Sequence, residues 1–361
     1  MARILGLACL PAVVLAFAAV ANGQAGLDQV GKPDLKSAGS LAFGPKGVLF
    51  VGDALGAQIV AIGVGGASGA PIEGNFKLEG VDAKIAALLG TTADGIKIND
   101  VAVEPGTNLA YVSVSRGNGP SAEPAIVRID GQGKLTAVPL DKVQYAKISI
   151  ANAPAADAKD KKGQSLRSGV ITDLAYVDGK LFIAGLANEE FASKLRSIEF
   201  PFKAADTGAS VEIFHTNHNA VETRSPVRTF VPFIVGGEPQ ILAAYTCTPL
   251  VSFPVSALKA GEKIRGKTVA ELGNRNTPLD MIAYDKGGKQ YLLLSNTARG
   301  VMKINTENIE KQPALTEKVN DKAGLTYETI ASLEGTEQLD KLGTANALVL
   351  NKGTLSAVAL P

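Results

Sequence analysis

Apolar positions along this chain come in short alternating runs, each broken by a turn that holds glycine or aspartate. A run, a turn, a second run and a polar loop recur as SLAFGPKGVLFVGDALGAQIVAI (40–62) and as NDVAVEPGTNLAYVSVSRG (99–117), which leads into AIVRID (125–130). The pattern returns as TDLAYVDGKLFIAGLANEE (172–190), followed by KLRSIEF (194–200), as TFVPFIVGGEPQILAAYTCTPLVSFPV (229–255) and as LDMIAYDKGGKQYLLLSNTARGVMKIN (279–305). NALVLNKGTLSAVAL (346–360) reads as a shortened sixth copy. Alternation around a glycine-containing turn predicts a β-hairpin. Val48, Phe50 and Val51 lie beside one such turn, and Leu181, Phe182 and Ile183 beside another. Helical spacing is confined to VDAKIAALLG (81–90), where Val81, Ile85, Leu88 and Leu89 predict a short helix ending at Gly90.

Hairpins repeated with a further outer strand predict an all-β fold, a β-propeller, which buries its strands by packing blades radially. Through LAFGPKGVLFVGD and LAYVDGKLFIAG the chain resembles the superfamily of NHL- and YVTN-type propellers. The resemblance implies a fold and no particular activity. Six blades are expected, with seven the alternative count and a pair of β-sandwiches the alternative architecture. The SAVAL strand is expected to close the ring against residues near the mature N-terminus. Residues 26–361 form the propeller domain, with ANAPAADAKDKKGQ (151–164) a solvated excursion between blades.

The first stretch changes the picture of where the protein works. MARILGLACLPAVVLAFAAVANGQA has one basic residue, Arg3, then an apolar run to Val20, with Ala19-Val20-Ala21 a small-x-small cleavage site. This is the pattern of a signal peptide over residues 1–21, with a second cleavage candidate at residues 23–25. The protein is therefore expected to be exported, to a periplasmic or extracellular space. No later segment is long and apolar enough to cross a bilayer. Cys9 falls within the signal, which leaves Cys247 as the one mature cysteine and excludes an internal disulfide.

Removing Arg3 leaves 35 basic residues against 35 acidic ones. A balanced chain makes no electrostatic case for nucleic acid or anionic membrane. Tryptophan is absent, which weakens carbohydrate platforms and quinone cofactors stacked on an indole. A small molecule or a protein remains as the expected partner.

In a propeller blade, loops leading into the first strand share a face with loops leaving the second, because the two strands are antiparallel. Both histidines of the chain lie in one such leading loop, as HTNHN (215–219). The segment AAYTCTPL (243–250) leaves the second strand of the same repeat, so His215, His218 and Cys247 are expected together. Two imidazoles and a thiolate suit copper first and zinc second. Met281 is a candidate axial ligand, as in blue-copper sets, with Glu222, Tyr245, Asp280 or water as the alternatives. Metal handling, electron transfer and metal-assisted oxidation are the corresponding functions. Tyr245 near Cys247 also resembles the ligand set of copper-radical oxidases, without their kelch repeats. No CxxCH motif is present for covalent haem.

Other residues on the same face carry competing chemistry. Asn99, Asp173, Asp280 and Asn296 could hold calcium in a lactonase- or esterase-like hydrolase, although Asp100 and Asp173, at one offset in their repeats, also suit backbone capping. Arg116, Arg224, Arg275 and Arg299 could clamp an anionic ligand with Tyr245, Asp280 and Asn296. A non-catalytic interaction platform is the third class.

Overall fold

The computed structural model describes residues 26–361; the segment read as a signal peptide lies outside the described residues. The strands form six sheets. Blade one holds Leu41–Phe43, Val48–Asp53 and Gln58–Gly63, with Val143–Ser149 as its outer strand and Gln29–Gly31 at its edge. Blade two holds Ile96–Val103, Ala110–Arg116, Glu123–Ile129 and Leu135–Ala137. Blade three holds Asp173–Val177, Lys180–Leu186, Ser193–Glu199 and Ala209–His215. Blade four holds Val227–Val235, Glu238–Tyr245, Pro249–Pro254 and Lys267–Leu272, with Lys322–Gly324 added outside. Blade five holds Pro278–Lys286, Lys289–Asn296, Val301–Asn305 and Tyr327–Thr329. Blade six holds Thr336–Leu342, Asn346–Asn351, Thr354–Ala359 and, from far back in the chain, Lys77–Glu79.

The inner strands pack in a closed circle, in the order one, three, four, five, six, two and back to one. The fold is thus a six-bladed β-propeller. Chain order and ring order differ because blade two is inserted between the third and fourth strands of blade one. The expected closure near the mature N-terminus is corrected: Thr354–Ala359 pairs with Lys77–Glu79, while Gln29–Gly31 pairs with Val143–Ser149. The sixth copy is also longer than its sequence pattern, since Thr336–Leu342 supplies its inner strand.

Each pair of neighbouring blades buries its own apolar cluster, which explains the runs in the sequence. In Val48–Asp53 the side chains alternate: Val48 and Phe50 pack towards blade three, Leu49 and Val51 towards blade two. All four are fully buried, so the strand reads as continuously apolar. Burying a side chain such as Phe50 contributes about 1.5–3 kcal/mol, and Phe50 also meets Phe200 edge-on at 4.9 Å. The hairpin turn at Asp178-Gly179 has positive φ at both residues (49° and 79°) between paired Val177 and Lys180. That is the mirror-image turn whose twist matches the strands. The expected helix forms over Val81–Leu89 and stops at Gly90, whose φ is 68°. Its Val81 and Ile85 pack between blades two and six. No helix among the described residues is long and apolar enough to cross a membrane.

Candidate metal centre

The chain between blades three and four makes a small hairpin. Ala209–His215 turns at residues 216–219 and returns as Ala220–Glu222, which pairs His215 with Ala220 and Ile213 with Glu222. Thr216 and Asn219 close the turn, the Asn219 N–H donating to the Thr216 carbonyl at 3.1 Å. Asn219 has φ of 51°, a conformation asparagine tolerates well. The hairpin brings His215, His218 and the Glu222 carboxylate together. Nδ1 of His215 lies 3.0 Å and Nδ1 of His218 2.6 Å from the same oxygen, Glu222 Oε1. The two rings are 3.9 Å apart, tilted by 40°.

Burial disfavours ionisation of Glu222, but hydrogen bonds from His215, Ser225 and His218 outweigh it and hold its pKa down at about 2. The Ser225 hydroxyl donates to the second Glu222 oxygen. With both Nδ1 atoms directed at the carboxylate, each Nε2 is left for another partner. His215 is almost fully buried, and its Nε2 has no partner.

Cys247 reaches the same place from the turn after Glu238–Tyr245. It sits in the left-handed region with φ of 65°, as does Thr248 with φ of 60°. A non-glycine residue there carries a cost of about 1 kcal/mol. The turn is locked by Thr248 N–H to the Tyr245 carbonyl (2.8 Å), Thr248 Oγ1 to the Gly273 carbonyl (2.5 Å) and Cys247 N–H to the Asn276 carbonyl (2.7 Å). One ring nitrogen from each histidine and the Cys247 sulfur all lie within 4.8 Å of one another. Donors around one tetrahedral ion stand about 3.5 Å apart, closer than the 4.8 Å that bounds this set. His215 is buried, Cys247 half-buried and His218 exposed, so the three donors run from the interior to the surface.

Behind the histidines lies a second carboxylate, Glu271. It is buried, accepts from Thr216 Oγ1 at 2.5 Å and has the Asn217 amide beside it. Burial pushes its pKa up. Sequence reasoning missed Glu271; the available signal was an acidic residue inside the apolar strand segment TVAEL (268–272).

The remaining candidates fall elsewhere. Met281 is packed in the apolar cluster between blades four and five and lines the central channel, so it is not an axial ligand in this arrangement. Tyr245 is buried between blades three and four, and burial pushes its pKa up. Arg116 pairs with Glu123 at 3.1 Å, and Arg299 with Asp321 at 2.7 Å. Arg224 is exposed, outside the pocket that contains His218 and Cys247. Only Arg275, of the four arginines, lines that pocket. The Asn99 amide donates to the Ala38 carbonyl and Ser115 Oγ, and the Asn296 amide to the Leu294 and Gly300 carbonyls.

Asp100, Asp173, Asp280 and Asp340 line a central channel of about 450 Å³. Each carboxylate caps its own strand and reaches the next blade. Asp100 accepts from the N–H of Val101 and Leu41, Asp173 from Leu174 and Phe230, Asp280 from Met281 and Leu339, and Asp340 from Lys341 and Val103. The Gln338 amide nitrogen bridges Asp280 (3.2 Å) and Asp100 (3.1 Å) in the orientation that satisfies it. Burial raises all four pKa values, to about 6 for Asp173 and Asp340. Among the described residues these carboxylates do not gather three donors as closely as the histidine–cysteine set does. In the expected calcium quartet the Asn99 and Asn296 amides donate mainly to backbone carbonyls and the Asp173 and Asp280 carboxylates accept backbone N–H groups, so these aspartates stitch blades together.

No protein-family profile and no curated protein sequence matches the chain. Solved structures resemble it at the level of the fold. The WD40 propeller domain of Doa1 is 8% identical with a TM-score of 0.33, over 92% of this chain and 95% of that one. The PQQ-bound aldose sugar dehydrogenase of Streptomyces coelicolor is 10% identical with a TM-score of 0.37, over 92% and 97%. The plexin A4 extracellular region is 8% identical with a TM-score of 0.42, over 92% of this chain and 40% of its own.

Proposed function

We propose that the protein is a metal-binding propeller that takes up one ion at His215, His218 and Cys247, with copper favoured over zinc. The observation that carries this reading is the unpartnered Nε2 of buried His215, beside a second imidazole and a sulfur. A buried nitrogen without a partner costs about 1–3 kcal/mol, and an ion would remove that cost. A carboxylate that takes the Nδ1 hydrogens is the usual support of histidine ligands. Two nitrogens and one thiolate rank copper first on affinity. Met281 lies in the core, so electron transfer of the blue-copper kind loses its axial ligand. An exposed His218 and a half-buried Cys247 instead suit exchange of the ion with solvent. Metal handling in an exported setting is the function we favour.

Metal analysis of untagged protein tests this. One equivalent of copper, lost in His218→Ala and in Cys247→Ala, is expected. Protein that takes up neither copper nor zinc would overturn the reading. Calcium-dependent lactone turnover that survives both substitutions would favour the hydrolase alternative instead.

A further inference from the structure

The donors do not close off the space beside them. His218 and Cys247 open onto a pocket of about 320 Å³. Two cations border it, Arg275 and Lys318, and no aspartate or glutamate does. Neither cation makes an ion pair among the described residues, unlike Arg116 and Arg299. Asn217, a third lining residue, has a buried amide nitrogen that faces the Glu271 carboxylate behind it. Donors and positive charge therefore converge on one small space whose own lining carries no carboxylate, with Glu222 and Glu271 behind His218 and Asn217.

The fold sets the backbone positions of both cations, whose side chains are exposed. Arg275 sits in a tight loop with φ of 55°, next to Asn276, whose carbonyl accepts the Cys247 N–H. The bond that places the sulfur thus also places the arginine. Lys318 comes from the segment that leaves blade five and crosses over blade four. Leu315 N–H donates to the Thr268 carbonyl, and Val319 N–H to the Thr216 carbonyl at 3.3 Å. The second bond ties that strap directly to the histidine turn.

We infer that this pocket takes a small anion, which occupies the open coordination position of the ion while Arg275 and Lys318 hold its charge. Three protein donors leave a four-coordinate ion one position short. The bound thiolate and Glu222 offset a divalent ion, so two unpaired cations leave the pocket net positive. Arginine favours a two-oxygen group such as a carboxylate. The fitting ligand class is a small carboxylate, including one that arrives with the metal as its chelate. The inference rests on the proposed metal site and goes beyond it.

The test uses azide, a small anion whose bond to copper(II) gives a visible charge-transfer band. The full protein is loaded with one equivalent of copper(II), or with cobalt(II) if it purifies with zinc, and titrated with azide and then with oxalate as competitor. Saturable azide binding is expected, displaced by oxalate. In Arg275→Ala/Lys318→Ala the azide dissociation constant should rise at least about 10-fold with metal content unchanged. Arg224→Ala, on the histidine loop but outside the pocket, should leave it within twofold. A loaded protein with no azide band, or a double variant with unaltered affinity, would overturn the anion site and leave the metal site standing. An equal loss in Arg224→Ala would assign the effect to general charge and also overturn it. Failure of the wild-type protein to take up metal would overturn both.

Discussion

The Asp173 carboxylate crosses from blade three to blade four and accepts the Phe230 N–H at 2.8 Å. Three more aspartates make the same kind of stitch around the channel. Their burial has a consequence for acid stability. A carboxyl whose folded pKa lies near 6 binds more protons in the folded than in the unfolded chain between about pH 4 and 6, so stability falls as pH rises through that window. Glu222, held down at about 2, acts in the opposite sense only below about pH 4.5. We expect the melting temperature at pH 5 to exceed that at pH 7.5 by at least about 2 °C. A flat profile in thermal circular dichroism would show that the carboxyls are not held up.

Glu222 supports both imidazoles through a single oxygen. Replacing it by glutamine keeps the shape and removes the charge. Glu222→Gln is expected to weaken metal binding by about 10- to 100-fold, the usual effect of losing a ligand's supporting carboxylate. Competition with a chromogenic chelator would measure it. Unchanged affinity would mean that the histidines are oriented by something else.

Cys247 occupies a backbone conformation that favours glycine. Cys247→Gly should stabilise the metal-free protein by about 1 kcal/mol while abolishing metal binding. Cys247→Ser should lose binding without that gain, because serine keeps its Cβ. Urea unfolding of the chelated proteins reads both. A less stable glycine variant would show that the turn is not strained.

Leu355 is fully buried between blades two and six and pairs with Leu78 of the strand that completes blade six. Leu355→Ala should cost about 2–5 kcal/mol in equilibrium unfolding. A loss below about 1 kcal/mol would mean that this seam contributes little to holding the ring.

The hairpins were legible because each blade is buried on both faces, which imposes apolar runs such as VLFV (48–51) and LFIAG (181–185). The shared position of His215, His218 and Cys247 was legible because antiparallel strands fix which loops meet. Ring order was not. A three-residue strand, Lys77–Glu79, has no periodicity of its own, and its partner lies at the far end of the sequence. The inner strand of blade six, TEQLDKL, was missed because its channel-facing positions are polar. Asp340 went unseen with it. Lys318 had no signal at all, since only the crossing strap carries it to the pocket.

The insertion of blade two within blade one sets a timetable for synthesis. When residue 137 has been made, blade one still lacks its outer edge, which arrives only with Val143–Ser149. Lys77–Glu79 must then wait, unpaired, for Thr354–Ala359. A growing chain therefore carries an unfinished seam from Lys77–Glu79 until Thr354–Ala359 is made.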